Sequence, residues 1–196
     1  MSRNKKYLLA IYVIASSFLT IDCLLYYFQE ISLRGYYSDV VLFWIWFILS
    51  FTVIVVFWKK LLAKLLLAGL IIALILSILP MMLPFFALVN SMTSLGLYQN
   101  RNLNENYRAQ IVGYSPMAYP WLEVIEKKGI FEKRAFKCID LEVMNDDSNM
   151  KIRTAKDIIF KNETDTTLTL TLFSGGPNKT ITFNKYNGTI IATTEH

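Results

Sequence analysis

Three apolar runs, each about the length of a bilayer crossing, constrain this chain more than any other feature. A helix spanning the hydrocarbon core needs about 20 mainly apolar residues. YLLAIYVIASSFLTIDCLLYYF (7–28), VVLFWIWFILSFTVIVVFW (40–58) and LLLAGLIIALILSILPMML (65–83) meet that length, and only the first contains a charge, Asp22. Apolar character continues past Pro84 to residue 89, but 65–89 is too short for two crossings. Pro80 and Pro84 are therefore expected to kink or fray the outer end of the third helix. The basic start MSRNKK precedes an apolar stretch too long for a signal-peptide core, and no A-x-A site follows. LTIDC (19–23) has Asp22 where a lipoprotein cleavage box needs a small residue. The first segment is expected to stay.

Charge divides the chain in two. Residues 7–90 carry only seven charged side chains, whereas 100–196 hold 13 Lys and Arg against 12 Asp and Glu. The distal part is nearly neutral, so most of the formal net charge of +5 belongs to the apolar part. Arg3, Lys5 and Lys6 precede the first run, and Lys59, Lys60 and Lys64 separate the second from the third. Basic loops are retained in the cytoplasm. These six residues therefore predict a cytoplasmic N-terminus and, after three crossings, an extracytoplasmic C-terminal domain. Lys64 can lie in the third helix and reach back to the inner headgroups. Tyr7, Tyr26, Tyr27, Tyr36, Tyr37 and Trp58 fall near the expected interfaces, where amphipathic rings prefer to sit. Trp44 and Trp46 lie deeper and read as helix-packing residues. No basic stripe with interleaved aromatics appears in the distal part, which argues against a nucleic-acid partner.

Within the runs, Asp22 reads as an acid near the outer interface, because a proton or ion relay would need ionisable partners at matching depth on the other spans. Gly69, Ala73 and Ser77 repeat every four residues and place small side chains along one helix face. That face suits helix packing within a three-helix bundle and leaves room for a homodimer. Ser16 and Thr20 mark a weaker polar stripe on the first span.

Residues 91–106 are Asn-rich and unpatterned, and read as a linker to a domain over 107–196. There, YRAQIVG (107–113) reads as a strand. Ser115, early prolines and Gly129 read as the cap, start and stop of a helix over 118–128. RAFKCIDLEV (134–143) alternates, NDDSN (145–149) is a turn, and KIRTAKDIIF (151–160) is a weaker strand. TLTLTLF (167–173), TITF (180–183) and TIIATT (189–194) alternate between SGGPNK and NKYNG turns, which predicts an antiparallel meander. One face would bury Leu168, Leu170, Leu172, Ile181 and Phe183 and the other would show threonines to water. The expected fold class is a helical membrane anchor with three transmembrane helices plus a small α+β domain, its mainly antiparallel sheet of five or six strands covered by a helix.

The chemistry of the chain is sparse. Its one histidine is the terminal His196, which removes the oriented base that Ser-His-Asp and Cys-His catalysis requires. Two cysteines, Cys23 and Cys138, cannot hold zinc, and Cys138 reads as a small buried strand residue. No phosphate-loop, dinucleotide, zinc-protease or EF-hand pattern occurs. Asp140 and Glu142 share a strand face, and Asp146 and Asp147 a turn; solvated surface accounts for both pairs. Asn162, Asn178 and Asn187 each begin an N-x-T triplet, common by chance in so Asn- and Thr-rich a domain. The expectation is therefore a non-enzymatic, multi-pass plasma (inner) membrane protein of bacterial type, without a cofactor or metal. Its outer domain would bind a protein partner, as an envelope-complex accessory subunit or an immunity-type protector. The alternative is a small-molecule or lipid sensor or carrier with an apolar pocket lined by Tyr114, Tyr119 and Trp121.

Overall fold

The computed structural model describes residues 3–78, 83–115, 117–140 and 150–195. Three helices in it are long and apolar enough to cross a membrane: α1 (Arg3–Gln29), α2 (Tyr36–Val56) and α3 (Leu61–Ile78). Their 27, 21 and 18 residues correspond to about 40, 31 and 27 Å at ~1.5 Å per residue, against a hydrocarbon core of about 30 Å. Side chains such as Leu62 (79 % exposed) and Ile14 (68 % exposed) point away from the protein. Helices apolar all round suit a lipid surround and not water.

α1 and α2 form a hairpin. The Trp46 indole Nε1 donates to Ser16 Oγ at 3.0 Å, and the fully buried Ser50 hydroxyl lies 3.4 Å from that of Tyr12. At one end of the hairpin the Lys5 ammonium sits 5.9 Å from the centre of the Phe57 ring, so the basic N-terminus and the Lys59–Lys60 turn share that end. α3 leads back, and a short apolar helix, α4 (Leu83–Met92), follows with Pro84 in its first turn, where the missing N–H costs nothing. The Trp44 indole donates to the Met92 carbonyl at 2.9 Å and fixes the end of α4 against α2.

The remaining chain builds two antiparallel sheets. The first contains β1 (Ile31–Leu33), β2 (Leu97–Asn102), β3 (Tyr107–Val112), β4 (Trp121–Lys128) and β5 (Phe131–Cys138) in the order β1-β5-β4-β3-β2. The second is the meander β6 (Asp157–Glu163), β7 (Thr167–Phe173), β8 (Lys179–Asn184) and β9 (Ile190–Glu195). Ala109, Ile111, Leu122, Val124 and Cys138 of the first sheet meet Leu168, Leu170, Leu172, Ile181 and Phe183 of the second in one fully buried core. Phe136 and Phe183 stack across it with ring centres 4.9 Å apart. The expected fold class is the observed one, and among the described residues α4 and a 3₁₀ turn (Ile152–Thr154) add helical pieces to the three long helices.

Several local expectations need correction. The helix expected over 118–128 is strand β4. Leu122 and Val124 point into the core while Glu123 points away, and this two-residue period overrides the cap-like Ser115. Gly129 does not stop a helix; with φ +66° it opens the two-residue hairpin turn between Lys128 and Phe131, where the first turn residue must be glycine. The linker expected over 91–106 contains β2, paired with β3 from Leu97 to Asn102. The strands form two sheets packed on each other, so the core lies between sheets and not between one sheet and a helix over 118–128. The strand expected over 134–143 spans 131–138 within the described residues, and the one over 151–160 begins at Asp157. The turn at 145–149, with Asp146 and Asp147, and residues Leu141, Glu142 and Val143 lie outside the described residues.

Candidate functional site

β1 links the two halves of the molecule. It is the turn between α1 and α2, and it pairs with β5 through Ile31–Lys133, Ser32–Glu132 and Leu33–Phe131. The first sheet is therefore stitched to the top of the α1–α2 hairpin, with one face on the domain core and the other toward the helix ends. Every residue of β3 is buried, because Tyr107, Ala109 and Ile111 face the core while Arg108, Gln110 and Val112 face the junction.

The junction face is polar and internally paired. Arg108 Nε donates to Glu132 Oε2 at 2.7 Å and its Nη1 to Gln110 Oε1 at 2.5 Å. Gln110 Nε2 donates to Glu123 Oε2 at 2.8 Å, and Trp121 Nε1 donates to Glu123 Oε1 at 2.7 Å. Arg134 reaches Glu123 Oε1 at 3.4 Å and also pairs with Glu30, the residue after α1. Its guanidinium lies 6.0 Å from the centre of the Tyr26 ring in the last turns of α1. Burial alone would lower the Arg134 pKa, but the Glu30 bond, Tyr26 and Glu123 outweigh it and raise the value. Burial pushes the Tyr114 phenol well above its ordinary value, and Glu123 and Tyr36 add to the effect. Arg108, Gln110, Glu123 and Glu132 are each at least nine-tenths buried, so their mutual pairing is what makes their burial tolerable.

Beside this network lies a cleft of about 510 Å³ between the first turn of α2 and the sheet. Arg34, Tyr37, Asn102, Arg108, Lys127 and Glu132 line it. Arg34 Nη1 donates to the Gly129 carbonyl at 3.1 Å, and Lys127 Nζ to the Asn104 carbonyl at 3.1 Å. Desolvation first, then the Arg34 cation, hold the Lys127 ammonium below the usual lysine value; Glu132 pulls the other way, and Arg108 adds a lesser push downward.

The other singled-out residues distribute as follows. Asp22 has an ionisable neighbour that sequence reasoning placed in the loop: Asp39 lies inside α2, within electrostatic range of Asp22, and both carboxylates face the Leu33 backbone N–H. Gly69 and Ala73 are exposed, Ser77 is half-buried, and no atom lies within 4 Å of the point where a Gly69 Cβ would sit. Arg3, Lys5, Lys6, Lys59, Lys60 and Lys64 are all exposed. Asp140 is not on a solvated strand face; it is buried beyond the end of β5, where Oδ1 accepts the Ile152 N–H at 2.7 Å. Cys138 is buried in β5 and Cys23 exposed on α1. Tyr114 and Trp121 meet edge to face at 5.6 Å, but Tyr119 is 71 % exposed, so the expected aromatic pocket is not assembled. The side chains of Asn178 and Asn187 accept bonds from Ser174 and Thr189 within their own turns.

The far end of the domain offers a second feature. On one flank the two sheets are tied together by Arg101–Asp157, at 2.7 Å, and by Asn104 bonded to Glu163 at 2.6 Å. On the other flank β9 closes the second sheet and, among the described residues, pairs with β8 alone. The outer face of that sheet carries hydroxyl pairs, Thr169–Thr182 at 3.0 Å and Thr171–Thr180 at 2.8 Å. No family model, curated protein or solved structure matches the chain.

Proposed function

We propose that this chain is a non-enzymatic, multi-pass protein of a bacterial inner membrane that holds its β-rich domain outside the cytoplasm and binds a protein partner there. An accessory subunit of an envelope complex or an immunity-type protector would both fit such an anchor. The observation that carries this reading is strand β9. Natural edge strands are blunted by lysine, proline, bulges or a covering element. β9 reads IIATTE, with no lysine or proline and its one charge at the last position. The ladder to β8 shifts register once, at Ile191, which is 54 % exposed, and is regular from Ala192 to Glu195. Its outer backbone groups suit the addition of an extended segment from another protein, with the neighbouring threonine face supplying uncharged contacts. The six basic residues support the orientation, since they gather at the helix ends away from the domain and basic ends are retained in the cytoplasm.

The test places a photo-crosslinking side chain at Ile191 and, separately, at the exposed Lys161 on β6 of the full chain in native membranes. A single protein adduct of constant mass from 191 and none from 161 is the expected result. Adducts to lipid alone, to a second copy of the chain, or equally from both positions would overturn the reading.

A further inference from the structure

We infer that the cleft between α2 and the first sheet is an anion site that takes a phosphate group at the membrane surface. Among the residues that line it, Arg34, Arg108 and Lys127 are cations and Glu132 is the one carboxylate. Glu132 is already engaged, because both Nε and Nη2 of Arg108 lie 2.7 Å from its Oε2. Arg34 and Lys127 have only backbone carbonyls as acceptors among the described residues. The cleft thus brings two cations together, and the one carboxylate among its lining residues, Glu132, acts on Lys127 while being bonded to Arg108. Asp39, one turn into α2, faces Arg108 and Glu132, and is not among the charges that act on Lys127.

The start of α2 adds to the same field. Gly35 makes no side-chain cap, and Gly35, Tyr36 and Tyr37 line the cleft, so the positive end of a 21-residue helix opens into it. Arg34 can give a planar fork of donors and Lys127 a point charge, the pair of chemistries that recognise phosphate oxygens. Asn102 contributes a neutral amide to the lining. The apolar part of α2 begins at Val40, which puts the cleft at headgroup depth. An anionic lipid and free phosphate offer the same group, and an experiment can separate them.

The full chain, purified in mild detergent, is exposed to a mixture of phosphatidylglycerol and phosphatidylcholine, and retained lipid is read by native mass spectrometry. Inorganic phosphate is titrated in parallel. The wild type is expected to retain phosphatidylglycerol selectively. R34Q/K127Q should lose about tenfold or more of that retention, as expected for losing two charge-assisted partners. R34K/K127R should keep most of it, and K161Q, outside the cleft, all of it. Competition by inorganic phosphate at micromolar levels would assign the site to the free ion, and its absence to the headgroup; either outcome supports an anion site. Equal retention by wild type and R34Q/K127Q, or no preference for the anionic lipid, overturns it. Unchanged tryptophan fluorescence of R34Q/K127Q would show that the fold is intact.

Discussion

Removing the Glu132 carboxylate would leave the Arg108 guanidinium buried without its counter-ion. Breaking such a pair from one side costs about 3–5 kcal/mol, whereas replacing both partners by packed apolar side chains is far cheaper. E132Q is therefore expected to lower the thermal midpoint of the detergent-solubilised protein strongly, and R108M/E132L much less. Equal midpoints for the two variants, followed by tryptophan fluorescence, would show that the junction face is not held by charge pairing. Asp157 gives the opposite case, a half-exposed pair. The Ile158 N–H first, and then Arg101, hold its carboxyl below the usual 3.8. A depressed carboxyl stabilises the fold above the unfolded value and loses that contribution as pH falls through the folded one. With Arg101 57 % exposed, the pair is worth at most about 1 kcal/mol. D157N should be slightly less stable than wild type at neutral pH, and the gap should close below the usual carboxyl value. A gap that widens in acid would contradict this account.

At the level of elements, β1 is three residues long and yet joins the helical hairpin to the sheet. Cysteines at Ile31 and Lys133, which face each other across that ladder, should crosslink with short bifunctional thiol reagents in membranes. S32P, which removes a ladder donor, should raise amide exchange in β5 while leaving β7 and β8 protected. Exchange that is unchanged in β5 would mean that β1 does not hold the sheet. This element was illegible in the sequence, since ISL inside an eleven-residue loop has no period to read and its partner lies about a hundred residues away. β7 was legible because its side chains alternate: Leu168, Leu170 and Leu172 turn into the core and the threonines turn to the other face. There Thr167 and Thr169 are half-buried, and Thr171 is buried and not open to water as expected. β3 was read as a strand all the same, but β4 was missed for the reverse reason, which both strands share. Their outward side chains are buried charges and amides at the junction, so YRAQIV and WLEVIEKK show no clean alternation of burial. Ser115 and Gly129 then supplied helix-like punctuation that the hairpin uses differently. The cleft was equally hidden, because Arg34 lies far along the chain from Arg108 and Lys127 and meets them only through the β1–β5–β4–β3 order.

The whole molecule is a two-ended object. Six exposed basic side chains gather at one end of three apolar helices, and a packed pair of sheets is fixed to the other by β1, the Glu30–Arg134 pair and α4. Because the turn after α1 and the chain after α4 enter the same sheet, both must lie on one side of the membrane that the helices cross. That agrees with an odd number of crossings and was reached independently of the charge rule. The partner binding proposed at β9 and the phosphate binding proposed at the cleft would both inherit their compartment from this arrangement. The most direct test replaces Cys23 and Cys138 by serine and alanine, then introduces a single cysteine at Tyr186, 80 % exposed in the β8–β9 turn, or at Lys59. A membrane-impermeant maleimide is applied to intact spheroplasts and to permeabilised ones. The account predicts labelling at 186 in intact spheroplasts and at 59 only after permeabilisation; the reverse pattern, or both positions labelled from the same side, would contradict it.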